Sequence, residues 1–169
     1  MRGCVMGIAP GEQVKYPARR IVEKSGKGKK MATKYIHTCY RILEPERSID
    51  FYVNKLGMKK VGEMHFDTAT NYFFAMEESA DSPMLELTHN HEQSEPYEMG
   101  DGYSHVAFTV DDLVATCRSL EEQGVEIALQ PKTMTVEGND YHIAFIVDPD
   151  GYRIELLETG TVKVGNIIQ

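Results

Sequence analysis

Asp148-Pro149-Asp150-Gly151-Tyr152-Arg153-Ile154-Glu155-Leu156-Leu157 sets a turn directly before an apolar stretch interrupted by one carboxylate. Pro presets φ for the turn and Gly accepts a positive φ, so the stretch predicts a turn at 148–151 and a strand over 152–157. Side chains alternate along a strand, which puts Glu155 on the opposite face from Ile154 and Leu156. The pattern has an earlier counterpart, Leu85-Glu86-Leu87, in a strand predicted over 84–88. Each Glu follows a His near the start of an earlier strand: His37 lies 49 residues before Glu86, and His105 lies 50 residues before Glu155. Between them, His37 to Gly57 spans 20 residues and His105 to Gly124 spans 19. One residue of drift over such a distance marks an internal repeat of a strand, a helix and further strands.

The other elements fit this frame. A strand is expected over 35–42, then a helix opened by Glu44-Pro45, with Ile49, Tyr52, Val53 and Leu56 on one face and Gly57 as its stop. Strands are expected over 71–76 and 84–88, joined by the polar loop 77–83. In the second copy a strand over 103–110 leads to a helix capped by Asp111-Asp112, carrying Leu113, Val114, Cys117 and Leu120 and ended by Gly124. Strands over 141–147 and 152–157 complete it.

At 169 residues and 19.1 kDa, with 41% hydrophobic and 26% charged residues, the chain has the composition of a globular protein of one domain or two small modules. No apolar run approaches the ~20 residues of a membrane helix. Three cysteines, Cys4, Cys39 and Cys117, with no C-x-x-C spacing, point away from a disulfide scaffold and toward a reducing, cytoplasmic setting. The net charge of -8 is uneven. Residues 1–30 hold eight basic and two acidic side chains, a net of +6, which leaves -14 on the rest. The acidic body argues against nucleic acid as a partner. The first 30 residues lack periodicity, and their composition predicts a disordered basic tail, with Met31 an alternative translation start.

The chemistry lies on the strand faces opposite the apolar ones. His37, Cys39 and Arg41 oppose Ile36 and Ile42; His105, Ala107 and Thr109 oppose Val106, Phe108 and Val110. One His on an open sheet face is ordinary surface chemistry. A His and a Glu at matched positions in two copies are a donor set, because a Glu within an apolar strand is costly unless something neutralises it. Two imidazoles and two carboxylates suit Zn, Ni or Co better than Mg or Ca. His89-Asn90-His91-Glu92 is a rival pattern, but nothing repeats it, and it reads as surface. His65 and His142 read as isolated.

Five blocks resemble one family: His37–Ile42; Arg47–Tyr52 with Leu56-Gly57-Met58-Lys59; Leu85–Asn90; Tyr97-Glu98-Met99-Gly100 with Tyr103–Ala107; and Asp148–Leu156. From Met31 to about Thr161 the chain resembles glyoxalase I (lactoylglutathione lyase) of the vicinal oxygen chelate superfamily. The resemblance implies an α+β fold of two βαβββ modules, over 31–100 and 101–169, whose sheets form a metal-binding cleft. It implies His37, Glu86, His105 and Glu155 as metal ligands, Glu155 also as the catalytic base, and Arg41 and Asn90 as holders of glutathione. It implies a homodimer with the site at its interface, and, from the compact length, Ni or Co with Zn as the alternative. The implied substrate is the methylglyoxal–glutathione hemithioacetal, isomerised to S-lactoylglutathione.

Two positions depart from the family. Asp101 stands four residues before His105, where zinc-type members often have Arg, and Glu137 and Asp140 precede Ile143 where Lys is expected, with Lys132 further back. Two rival activities and a non-enzymatic binding module share the fold. An acyl-CoA epimerase would typically carry Gln at position 86, a ring-cleaving dioxygenase uses two His and one carboxylate, and a non-enzymatic binding module lacks the full set.

Overall fold

The computed structural model describes residues 33–79 and 82–161. The predicted tail and the alternative start at Met31 lie outside the described residues. The chain divides into residues 1–34 and a compact unit over residues 35–169, and every helix and strand described belongs to the second unit.

The elements run β1 (His37–Ile42), α1 (Pro45–Asp50), a π-helical turn (Phe51–Lys55), β2 (Lys59–His65), β3 (Ala69–Ala75) and β4 (Met84–Asn90). Then come β5 (Val106–Val110), α2 (Leu113–Glu122), β6 (Glu126–Val136), β7 (Asn139–Val147) and β8 (Arg153–Glu158). Each half forms a four-stranded mixed sheet, ordered β1-β4-β3-β2 and β5-β8-β7-β6. The first strand of each half pairs in parallel with the last, and the remaining pairs are antiparallel. This is the repeated βαβββ architecture.

Local chemistry explains the helices. Pro45 occupies the first turn of α1, where a missing N–H costs nothing. The helix then widens: the Leu56 N–H donates to the Phe51 carbonyl at 3.1 Å, five residues back. The wider turn buries the neighbours Phe51 and Tyr52 together, and Gly57, at φ +75°, ends it. In α2 the Asp112 side chain accepts from the Ala115 N–H at 2.8 Å, and Leu113, Cys117 and Leu120 are buried. Val114, expected on that face, is 55% exposed, and Ile36 is likewise exposed.

Two strands, β2 and β6, carry no clear signal in the sequence. Both are edge strands. Most β2 side chains are solvent-exposed, and β6 contains Pro131 and two register irregularities. β2 shows no alternation, and in β6 the alternation of Ile127 and Leu129 runs into Pro131 and an exposed end.

Side chains from both halves share one hydrophobic cluster, including Tyr40, Ile42, Leu87, Ala144, Ile154 and Leu156. The 148–152 turn knits the halves together. Asp148 accepts from the Tyr52 hydroxyl at 2.6 Å and from the Tyr152 N–H at 2.8 Å. Asp150 accepts from the Leu43 N–H at 2.7 Å and from the Ser48 hydroxyl at 2.5 Å. Burial raises the Asp148 pKa above the ordinary carboxylate value, and the Tyr52 hydrogen bond opposes that rise. The folded state therefore binds this proton more tightly than the unfolded chain. Asp148 favours folding at pH below its unfolded pKa, and that contribution is lost as pH rises through the raised folded value. Removing the Tyr52 donor leaves a buried carboxylate short of a partner. Tyr52→Phe is expected to lower stability by about 1–3 kcal/mol in chemical denaturation at neutral pH. The loss is expected to shrink as the pH is lowered through the Asp148 titration.

Candidate metal centre

The parallel β1–β4 pair brings His37 and Glu86 onto one face. His37 Nε2 stands 3.0 Å from Glu86 Oε2. The β5–β8 pair does the same in the second sheet, where His105 Nε2 is 3.2 Å from Glu155 Oε2. Such separations suit an ion pair, and they also suit two neighbouring donors on one ion. With metal–donor bonds of ~2.1 Å, adjacent ligands of an octahedral ion stand about 3.0 Å apart. Imidazole nitrogens and carboxylate oxygens are ligands for the late divalent metals, so both pairs fit such an ion in spacing and in donor type.

The two half-sites differ in how their carboxylates are held. Glu86 is 8% exposed, and its Oε1 accepts from the Asn71 side-chain amide and, at 3.4 Å, from the Thr88 hydroxyl. Only Oε2 is left to face His37. Glu155 is half-buried, and among the described residues its carboxylate meets His105 alone. Glu86 is thus clamped, whereas Glu155 keeps an oxygen free. The imidazoles are oriented as well. Ser104 Oγ lies 2.8 Å from His105 Nδ1, fixing the ring that turns Nε2 to Glu155. Phe73 and Phe145, the cross-strand partners of Glu86 and Glu155, meet the rings of His37 and His105 edge-on, at 6.4 and 5.2 Å between centroids.

Among the described residues, no three His, Cys, Asp or Glu side chains of the single chain converge as a metal site. The four predicted ligands therefore stand as two separate pairs. His37 and His105 each sit on or beside an edge strand, β1 and β5.

The remaining candidates fall nearby. Arg41 is exposed on the His37 face, and the Tyr152 hydroxyl bridges its backbone N–H and carbonyl at 3.1 Å each. Asn90 donates its amide to the Tyr97 hydroxyl at 2.9 Å. Cys39 Sγ lies 3.2 Å from Thr88 Oγ1, and burial of the sulfur, with the Glu86 charge adding to it, pushes the thiol pKa up. His89 and His91 group instead with Thr70, whose hydroxyl is 2.9 Å from His91 Nε2 and 3.4 Å from His65 Nδ1. Neither His65 nor His142 is isolated: His65 Nε2 is 2.9 Å from Glu63 Oε1, and His142 pairs with Glu158.

The profile of the Glyoxalase/Bleomycin resistance protein/Dioxygenase superfamily matches residues 34–156. The lactoylglutathione lyase of Neisseria meningitidis serogroup A is 37% identical over 125 residues, which cover 73% of this chain and 88% of that protein. The chain belongs to the lactoylglutathione lyase family. The lactoylglutathione lyase of Haemophilus influenzae is 36% identical, over 77% of this chain and 96% of its own length. Among solved structures, the trypanothione-dependent glyoxalase I of Leishmania major superposes with a TM-score of 0.68 at 31% identity. That superposition covers 81% of this chain and 94% of the Leishmania protein.

In a lactoylglutathione lyase built this way, the clamped carboxylate is the one to test for metal retention. Glu86→Gln keeps the side-chain shape but removes the charge. It is expected to weaken metal affinity about 10–100-fold, read as a shift in a metal-competition titration with a chromogenic chelator. Unchanged affinity would remove Glu86 from the ligand set.

Proposed function

We propose that the chain isomerises the hemithioacetal of methylglyoxal and glutathione to S-lactoylglutathione, at a site joining the His37–Glu86 pair of one copy to the His105–Glu155 pair of a second. The observation that carries this reading is a His–Glu pair on each of the two sheets, His37 with Glu86 and His105 with Glu155, whose donor types and spacing suit one metal ion. A twofold dimer supplies both halves twice, giving two equivalent sites.

A bound divalent ion, with Ni or Co favoured over Zn, would supply Lewis-acid stabilisation of the negative charge that develops on the substrate oxygens. His37, Glu86, His105 and Glu155 would hold it. Glu155 has a second task. Its free oxygen takes the proton from the substrate carbon bearing sulfur and returns it to the neighbouring carbon, which was the ketone. The hydroxyl proton passes to the former ketone oxygen, so the hydroxyl-bearing carbon becomes the thioester carbonyl, the sulfur–carbon bond stays intact, and no net electron leaves the substrate. Arg41 and Asn90 hold the glutathione portion. Cys39 and Cys117 are free thiols, which accords with a cytoplasmic enzyme. Among the described residues no helix is long and apolar enough to cross a membrane.

The test is the rise in thioester absorbance when methylglyoxal and glutathione are added to protein reconstituted in turn with Ni, Co and Zn. Turnover with at least one of them is expected. None with any, beside epimerisation of an acyl-CoA or oxygen uptake with a catechol, would assign the chain to a different chemistry of the fold.

A further inference from the structure

Arg153 opens β8 two residues before Glu155, and so shares its face. It stands opposite Val147 on β7, and its guanidinium carbon lies 5.2 Å from the centre of the Phe145 ring. The same ring meets His105 edge-on at 5.2 Å and is the cross-strand partner of Glu155. A planar cation is therefore braced one aromatic ring away from the second half-site. A cation–π contact restrains the guanidinium, whose planar donor fork matches a carboxylate. Arg153 is exposed, and no carboxylate among the described residues pairs with it.

Charge counting gives this cation a task. Glutathione carries two carboxylates, and a guanidinium is the strongest side-chain partner for each. The first sheet offers Arg41. The loop before His105 offers Asp101, which is acidic and cannot accept that role. On the face of Glu155, the cation braced beside the half-site is Arg153. We propose that Arg153 is a second carboxylate-binding residue of the site, taking one carboxylate of the glutathione moiety while Arg41 takes the other. The assignment rests on glutathione being the thiol of the substrate, and adds a specificity-determining residue to that reading.

The experiment compares wild type, Arg153→Gln and Arg153→Lys, each at matched metal content. The substrates are the methylglyoxal adducts of glutathione and of its diethyl ester, in which both carboxylates are masked. Binding of S-methylglutathione is measured in parallel by calorimetry. Arg153→Gln is expected to raise KM for the glutathione adduct about tenfold and to weaken S-methylglutathione to a similar degree, because a charge-assisted bidentate contact is lost. KM for the diester adduct should change less than about twofold, since no carboxylate is there to lose, and Arg153→Lys should fall between. An equal KM increase on acid and ester would mark Arg153 as structural and overturn the proposal, as would a variant matching wild type on both. A wild type that neither turns over the glutathione adduct nor binds S-methylglutathione would overturn the glutathione reading itself, and this assignment with it.

Discussion

Glu155→Gln is expected to lower kcat by at least about 10²-fold while most of the metal stays bound. A glutamine keeps the length of the side chain and still offers a carbonyl oxygen as a ligand, so the coordination sphere survives with a weaker donor. It cannot take a proton from carbon. General acid–base catalysis supplies roughly 10²–10⁴-fold, and in the proposed mechanism that contribution falls to Glu155. The family resemblance implies Glu155 rather than Glu86 as the base, and their surroundings support it. Glu86 is buried, with one oxygen held by Asn71 and Thr88, whereas Glu155 has only His105 beside it among the described residues. A base must reach two adjacent carbons of the substrate in turn, which a clamped carboxylate does poorly. Initial rate and metal content, measured on the same preparations of Glu155→Gln and Glu86→Gln, separate the roles. Both variants should bind metal more weakly, but at matched metal content only Glu155→Gln should lose rate per bound metal. If Glu155→Gln keeps its metal and more than about a tenth of the wild-type rate, short of the general-base range, the proton passes through another group.

The candidate site is legible in the sequence where it depends on period and repetition. A Glu between two apolar residues, found twice at 49 and 50 residues from a His, marks both strand faces without any tertiary information. The same alternation puts Arg41 on the His37 face, while its role as a holder of glutathione comes from the family resemblance. The supports are not legible, because they lie across strands. Asn71 reaches Glu86 from the adjacent strand β3, and Phe145 meets His105 across β8; a two-residue period says which face a side chain takes but not which neighbour it meets. Asn71 leaves a faint trace, as a polar residue two positions before Phe73 on the face that carries Glu86. The edge strands β2 and β6 escape a sequence reading because one side of each faces solvent and tolerates Lys, Glu and Pro. The joining of the halves lies in the 148–152 segment, whose turn is plain from Pro149 and Gly151. Its role as an anchor for Tyr52, Ser48 and the Arg41 backbone depends on contacts about 100 residues away in sequence.

The division of the ligands between two copies is tested most directly by complementation. One chain carries His37→Gln with Glu86→Gln, the other His105→Gln with Glu155→Gln, and each bears its own affinity tag. Alone, each forms dimers in which every site lacks one pair, and each should be inactive. A heterodimer purified through both tags holds one site with all four ligands and one with none, so it should recover about half the activity of a wild-type dimer. A purified heterodimer no more active than its parents would contradict a shared site, because the four ligands would then not meet across the interface.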